Sequence, residues 1–135
     1  MLCAVHAGFV SAKTIRSEST FSVGRLGENV AERFLTERGL LLLDRNWRCR
    51  EGEIDLVLRD GDEVVVCEVK TRRTTTFGEP VEAITRAKLA RLRRLAGCWL
   101  AEHEPRGRRV RLDVVGLLRH PDGTYRVDHR AGVGQ

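Results

Sequence analysis

Apolar residues between Gly24 and Arg38 recur with helical spacing. Leu26, Val30 and Phe34 fall on one face, with Ala31 and Leu35 beside them. The spacing predicts an amphipathic helix over this stretch, with Gly39 as its natural stop. The period then changes. "LLLLDRNWRCR" (Leu40 to Arg50) predicts a first strand and a polar bend. "EIDLVLR" (Glu53 to Arg59) alternates, which places Ile54, Leu56 and Leu58 on one face and Asp55 and Val57 on the other. Asp60-Gly61 is the best hairpin turn in the chain. "EVVVCEVK" (Glu63 to Lys70) is apolar on both faces, as a central strand is.

"TRRTTTFGE" (Thr71 to Glu79) is a polar loop, and Pro80 is expected to open a long second helix running to about His103. Leu89, Leu92, Ala96 and Trp99 form its buried stripe, while Arg86, Lys88, Arg91, Arg93 and Arg94 lie largely off it. A basic loop, "PRGRR", follows. "VRLDVVGLL" predicts a fourth strand, and "TYRVDHR" a fifth after a turn at Pro121 to Gly123. The order α-β-β-β-α-β-β predicts an α/β fold, a mixed central sheet flanked by helices.

A chain of 135 residues is expected to be one domain. Residues 23–130 carry the periodic elements, 1–22 read as a loose N-terminal tail, and 131–135 as a C-terminal tail. The opening "MLCAVHAGFVSAK" lacks a basic n-region and His6 interrupts its apolar run, so it does not read as a signal peptide. No apolar run approaches the ~18 residues of a membrane span, so no membrane association is expected. Cys3, Cys49, Cys67 and Cys98 stand apart, without a CxxC pair or a Cys–His spacing suited to zinc. Free thiols favour a cytoplasmic location.

Charge changes the picture more than composition does. The net charge is +5, and from Lys70 to Arg111 twelve Lys/Arg stand against four Asp/Glu, a surplus of eight that leaves the remainder at minus three. A basic half beside carboxylate-bearing strands suggests a polyanionic partner. A solvated basic helix without a partner is the plainer alternative.

Asp55, Glu68 and Lys70 occupy strand positions where Val, Thr or Leu would serve. With a two-residue loop at Asp60-Gly61, Asp55 lies opposite Val66 and Glu53 opposite Glu68. Asp55, Glu68 and Lys70 then project to one face, with Asp55 and Glu68 diagonal neighbours ~7–8 Å apart at the backbone. Unpaired buried carboxylates cost several kcal/mol and raise each other's pKa. The arrangement becomes reasonable around Mg²⁺, or Mn²⁺, which takes a few carboxylates plus waters and phosphate oxygens. The Val69 carbonyl, pointing sideways between the two residues, is a further candidate ligand. The alternative is a Glu68–Lys70 surface ion pair on an edge strand, against which the apolar flanks of Val64 to Val69 argue.

An Asp followed by ExK on adjacent strands resembles the PD-(D/E)XK nuclease superfamily. "GENVAERFL", "NWRCREGEIDLV", "VCEVKTRR" and "FGEPVEAI" resemble, in order, the blocks of the YraN family of small bacterial proteins assigned to that restriction-endonuclease-like fold. The resemblance implies that Asp55, Glu68 and Lys70 are the motif residues. Glu28 matches the helix glutamate of the Holliday-junction-resolvase-like branch; a helix-start carboxylate favoured by the dipole is its plainer reading. Ile54 stands where the superfamily has proline, and Glu53 is a rival ligand. The implied activity is metal-dependent hydrolysis of phosphodiester bonds in nucleic acid, DNA favoured over RNA, on a branched or otherwise structured substrate. Arg72 and Arg73 lie directly downstream to grip phosphate, and Arg86, Lys88, Arg91 and Arg94 are expected to extend that basic surface. Resolvase-like relatives often act as dimers, which leaves a homodimer among the candidate assemblies. A binding module without catalysis and an assembly factor that docks its basic helix on an acidic partner are the competing functions.

Overall fold

The computed structural model describes residues 5–11, 23–103 and 109–134. Its elements are β1 (Val5–Ser11), α1 (Val23–Glu37), β2 (Leu41–Cys49), β3 (Gly52–Asp60), β4 (Glu63–Arg72), α2 (Arg86–His103), β5 (Arg109–Arg119) and β6 (Thr124–Arg130). The α-β-β-β-α-β-β order read from periodicity runs from α1 to β6. The strands form one mixed sheet ordered β1-β6-β5-β4-β3-β2. β4 and β5 are parallel, and the other neighbours are antiparallel. A parallel pair needs a crossover, and the segment containing α2 supplies it.

Because β4 is central, both of its faces are covered. Val65 and Cys67 pack with Val30, Ala31, Phe34 and Leu35 of α1, whereas Val64 and Val66 pack with Leu92, Leu95, Ala96 and Trp99 of α2. This explains the unbroken apolar run. Leu95 belongs to the buried stripe of α2, while Leu89 is only partly covered. Asp44 holds the far end of α2 against β2: it accepts a hydrogen bond from Trp99 Nε1 at 3.1 Å and lies 3.6 Å from His103 Nε2.

Several expectations are corrected. The hairpin loop is Gly61-Asp62, since Asp60 pairs with Glu63. Gly61 takes a left-handed φ of 58°, which permits glycine in the first loop position. The second helix does not begin at Pro80. Pro80–Ala83 is a separate 3-10 turn, Ile84 is extended, and Thr85 Oγ1 accepts the Lys88 N–H at 3.1 Å to cap α2. Gly116 permits that turn to lie flat on the sheet, because a Cβ there would come within 2.7 Å of Val81 Cγ1.

The stretch read as an N-terminal tail contains β1, which is hydrogen-bonded along β6 and forms one edge of the sheet. The C-terminal tail is also tied down. Val133 N donates to Leu112 O, and Gly132 N donates to buried Asp113. Cys49 and Cys98, far apart in sequence, are neighbours in space, both as free thiols. Of the expected "PRGRR" loop, only Arg109 falls within the described residues.

Candidate functional site

The shifted hairpin register changes how the carboxylates meet. The β3–β4 ladder runs from Asp60↔Glu63 to Leu56↔Cys67 and stops there. Continued by one step, it sets Asp55 directly opposite Glu68 rather than diagonal to it. In place of the next ladder bond, Val69 N donates to Asp55 Oδ2 at 2.8 Å. The Asp55 carboxylate thus lies in the gap where the two strands part. In an extended strand, a residue's N–H and C=O face the same edge. The Val69 carbonyl therefore opens toward the gap as well.

The pleat of β3 also changes at Asp55. Leu56 and Leu58 lie in the α1 layer, but Ile54 joins Val57 in the α2 layer. Simple alternation had put Ile54 with Leu56 and Leu58. Two residues three apart can share a face only where the strand is irregular. On the other side, the β2–β3 ladder omits the Asn46–Asp55 pair. Asn46 is the one non-glycine residue with positive φ among the described residues, at 50°. Asn tolerates this conformation better than most residues, and such backbone strain tends to collect at functional sites.

Glu28 reaches the same place from α1. Burial raises its pKa, while a hydrogen bond with Asn46 and the charge of Arg45 oppose the rise. Arg45 lies 4.0 Å from Glu28 Oε1 and 2.8 Å from Glu32 Oε1. Glu28 Oε1 is buried without a hydrogen-bond partner. Asp55 is within hydrogen-bonding reach of both Glu28 and Glu68. Burial first, and the Glu68 carboxylate second, push Asp55 up to about 8. Glu68 is also raised by burial, against the pull of Lys88, Arg91 and Lys70. Glu53 adds repulsion to Glu28 and Asp55. Among the described residues, no three His, Cys, Asp or Glu side chains are set to hold one metal ion together.

Lys70 follows Glu68 by two positions, beside Gly116 of β5 and the Pro80–Ala83 turn. The partly exposed face of Glu68 opens into a small pocket with Ile84, Lys88, Arg91, Leu92 and Leu95. Its volume of about 10 Å³ is that of roughly one water.

The expected basic surface divides. Lys88 and Arg91 stand beside Glu68, and exposed Arg86 continues their helix. Arg94 pairs with Glu51 at 3.7 Å. Arg72 has a buried Nε without a partner, whereas Arg73 lines a different pocket with Arg119 and His120. Sequence reasoning missed Asn46 and Arg45. Their one trace is the polar break inside "LLLLDRNWRCR", which reads equally well as a bend.

Residues 27–117 match the model of a family described as Uncharacterised protein family UPF0102. The chain belongs to this family. UPF0102 is the YraN family whose blocks the sequence resembles. UPF0102 proteins similar to the chain occur in several bacteria. That of Kineococcus radiotolerans is 59% identical over 113 residues, covering 83% of this chain and 93% of the relative. That of Beutenbergia cavernae is 57% identical over 113 residues, covering 84% and 96%. That of Streptomyces griseus is 50% identical over 115 residues, covering 83% and 95%. The UPF0102 match spans Glu28, the strained Asn46, Asp55, Glu68 and Lys70, and the sheet architecture is consistent with a restriction-endonuclease-like fold. No helix among the described residues is long and apolar enough to cross a membrane.

Proposed function

We propose that the protein is a divalent-metal-dependent endonuclease that hydrolyses phosphodiester bonds in DNA, with branched or otherwise structured DNA as the favoured substrate. One observation carries the reading: Asp55 sits in the gap between β3 and β4, within reach of two other carboxylates, with a pKa near 8. Carboxylates brought together with so little compensation are poised for a cation. The donor set fits a hard ion. Asp55, Glu68 and the Val69 carbonyl are oxygen donors, Glu28 Oε1 is buried without a hydrogen-bond partner, and Mg²⁺ needs only one or two carboxylates beside waters and phosphate. Bound there, Mg²⁺ or Mn²⁺ would acidify water and offset charge on the phosphate.

The chain's own groups account for the rest. Lys70 places an ammonium beside Glu68, where it orients the attacking water and stabilises negative charge developing on phosphorus. Lys88 and Arg91 flank the same carboxylate and hold neighbouring phosphates. Arg86 extends this grip along α2.

A second reading, a nucleic-acid-binding module without turnover, is favoured by the lack of three ligating side chains around one point among the described residues. The two readings separate in an assay of labelled DNA and RNA structures incubated with Mg²⁺, Mn²⁺ or EDTA. Nuclease function requires metal-dependent cleavage that drops by about two orders of magnitude or more in Lys70→Ala while binding is retained. Asp55→Asn should abolish cleavage. Equal activity in wild type and both variants would mark contamination and leave the binding module.

A further inference from the structure

A second pocket lies where β4 and β5 end. Gly27 of α1 rests on Thr71 and Leu117, which are register partners on β4 and β5. Two residues further along come Arg73, in the bend just past the end of β4, and Arg119, the last residue of β5. They line a pocket of about 330 Å³ with His120 and Pro121, within the ~300–1,000 Å³ of small-ligand sites. Alternation puts Arg119 in the α1 layer with Leu117, whereas Glu68 and Lys70 follow the parity of Val64 and Val66 into the α2 layer. The pocket's lining shares no residue with the acidic gap. Neither arginine has a carboxylate partner among the described residues.

Tyr125 supplies an independent observation. It faces Arg119 across the β5–β6 ladder and is fully buried in the α1 layer, yet its hydroxyl has no hydrogen-bond partner. A buried unsatisfied hydroxyl costs about 1–3 kcal/mol, so a hydroxyl in the interior normally has a partner. Burial raises the phenol's pKa, and the opposing charges acting on it are Arg119 and Arg73. Tyr125 is thus a neutral, buried donor outside the pocket's own lining, on which both guanidinium charges act. The adjoining turn is fixed without using these groups: His120 N donates to Thr124 O, and the Asp122 carboxylate is occupied by Thr124 N and Oγ1.

We propose that Arg73, Arg119 and Tyr125 form a phosphate-binding pocket that engages a phosphate group of a nucleic-acid strand, apart from the acidic gap. Two guanidinium forks and a hydroxyl match the acceptors of a phosphate. A phosphate drawing the arginines into the pocket would leave the tyrosine hydroxyl as a third donor. The site goes beyond the nuclease reading and stands whether or not the acidic gap cleaves.

The test is fluorescence anisotropy in EDTA, where metal-dependent cleavage is absent, with a labelled single-stranded oligonucleotide carrying either a 5′-phosphate or a 5′-hydroxyl. Inorganic phosphate serves as competitor. Arg73→Gln and Arg119→Gln are each expected to weaken binding about tenfold, as loss of a charge-assisted hydrogen bond does. Tyr125→Phe should weaken it severalfold while unfolding at the same or a higher temperature, because it removes an unsatisfied group and keeps the ring. That combination separates a ligand role from a structural one. A preference for the 5′-phosphate that vanishes in the variants assigns the pocket to a strand terminus. Equal weakening of both probes assigns it to an internal phosphodiester. Wild-type affinity in all three variants, losses confined to the two arginine variants, or no binding by the wild type would each overturn the proposal.

Discussion

Asp55 and Asp113 lie on strands flanking β4, and their surroundings are opposite. Asp113 is fully buried, and burial alone would raise its pKa. His129 Nε2 at 2.7 Å and Arg111 Nε and Nη2 at 2.9 and 3.0 Å reverse this and hold the carboxyl below its ordinary range. Gly132 N completes its shell at 3.1 Å, and Arg111 is tied in turn to Asp60 and Glu63. Asp55 keeps partial access to solvent, receives one backbone N–H, and shares its space with Glu68 and Glu28, so its pKa rises to about 8. One aspartate is satisfied by the fold, whereas the other is left under-compensated by it. Fully paired buried charge reads as architecture, and under-compensated charge in a solvent-reached gap reads as a ligand site.

The comparison can be broken by experiment, beginning with the largest effect. Asp113→Ala should cost about 3–5 kcal/mol, because it breaks a buried charge network, taking from Arg111 its buried carboxylate and leaving the Gly132 N–H without its acceptor. Urea unfolding at neutral pH measures this, and a loss below about 1 kcal/mol would show that the network carries little. Next, saturating Mg²⁺ should raise the melting temperature. At a hundredfold excess over Kd the stabilisation is about 2.7 kcal/mol. It should be larger at pH 9 than at pH 6, since ions and protons compete for Asp55, and absent in Asp55→Asn. The same melting temperature with Mg²⁺ and EDTA at both pH values would remove the ion from the account.

A third effect needs no metal. The unfolded Asp55 carboxyl titrates near ~3.9 and the folded one near 8, so between these values the folded state binds more protons. Stability from this group is therefore full below about pH 4, falls as pH rises, and is gone above about pH 8. Asp55→Asn, which is always neutral, should overtake the wild type in EDTA as pH rises from 5 to 9, by on the order of 2 kcal/mol. A difference that does not change with pH would mean that Asp55 is already ionised and compensated. The smallest effect belongs to Glu28→Gln, which relieves a raised carboxylate and keeps a polar group near Asn46. It should stabilise the protein in EDTA at pH 9 by about 1 kcal/mol or less. Destabilisation would show that the Arg45 contact outweighs the repulsion.

Both aspartates stand in apolar strand sequences, "EIDLV" and "RLDVV", and nothing local tells them apart. What differs is what arrives from elsewhere in the chain. His129 and Gly132 come to Asp113 from beyond β5, while Glu28 and Glu68 come to Asp55 from α1 and β4. The ExK spacing and the preceding aspartate made Asp55, Glu68 and Lys70 legible. The α2 cations were legible as a set, but their division was not, because Arg73 belongs to a neighbouring strand end and Arg94 answers Glu51.

Periodicity alone determined the identity and order of the elements from α1 to β6, because a helix or strand must turn its apolar residues to one side or, in a central strand, to both. It also determined that carboxylates and a lysine would enter the sheet. The tertiary structure decided the register, through a glycine in the first position of the hairpin loop. It decided where β3 and β4 part, through a carboxylate that takes a backbone N–H. It also decided which stretches at the two ends are pinned down. β1 has no periodic signal and is held by its ladder to β6, while the Val133 and Gly132 N–H groups donate to the Leu112 carbonyl and the Asp113 carboxylate of β5. Hydrogen bonds to distant backbone leave no periodic trace in the residues that make them.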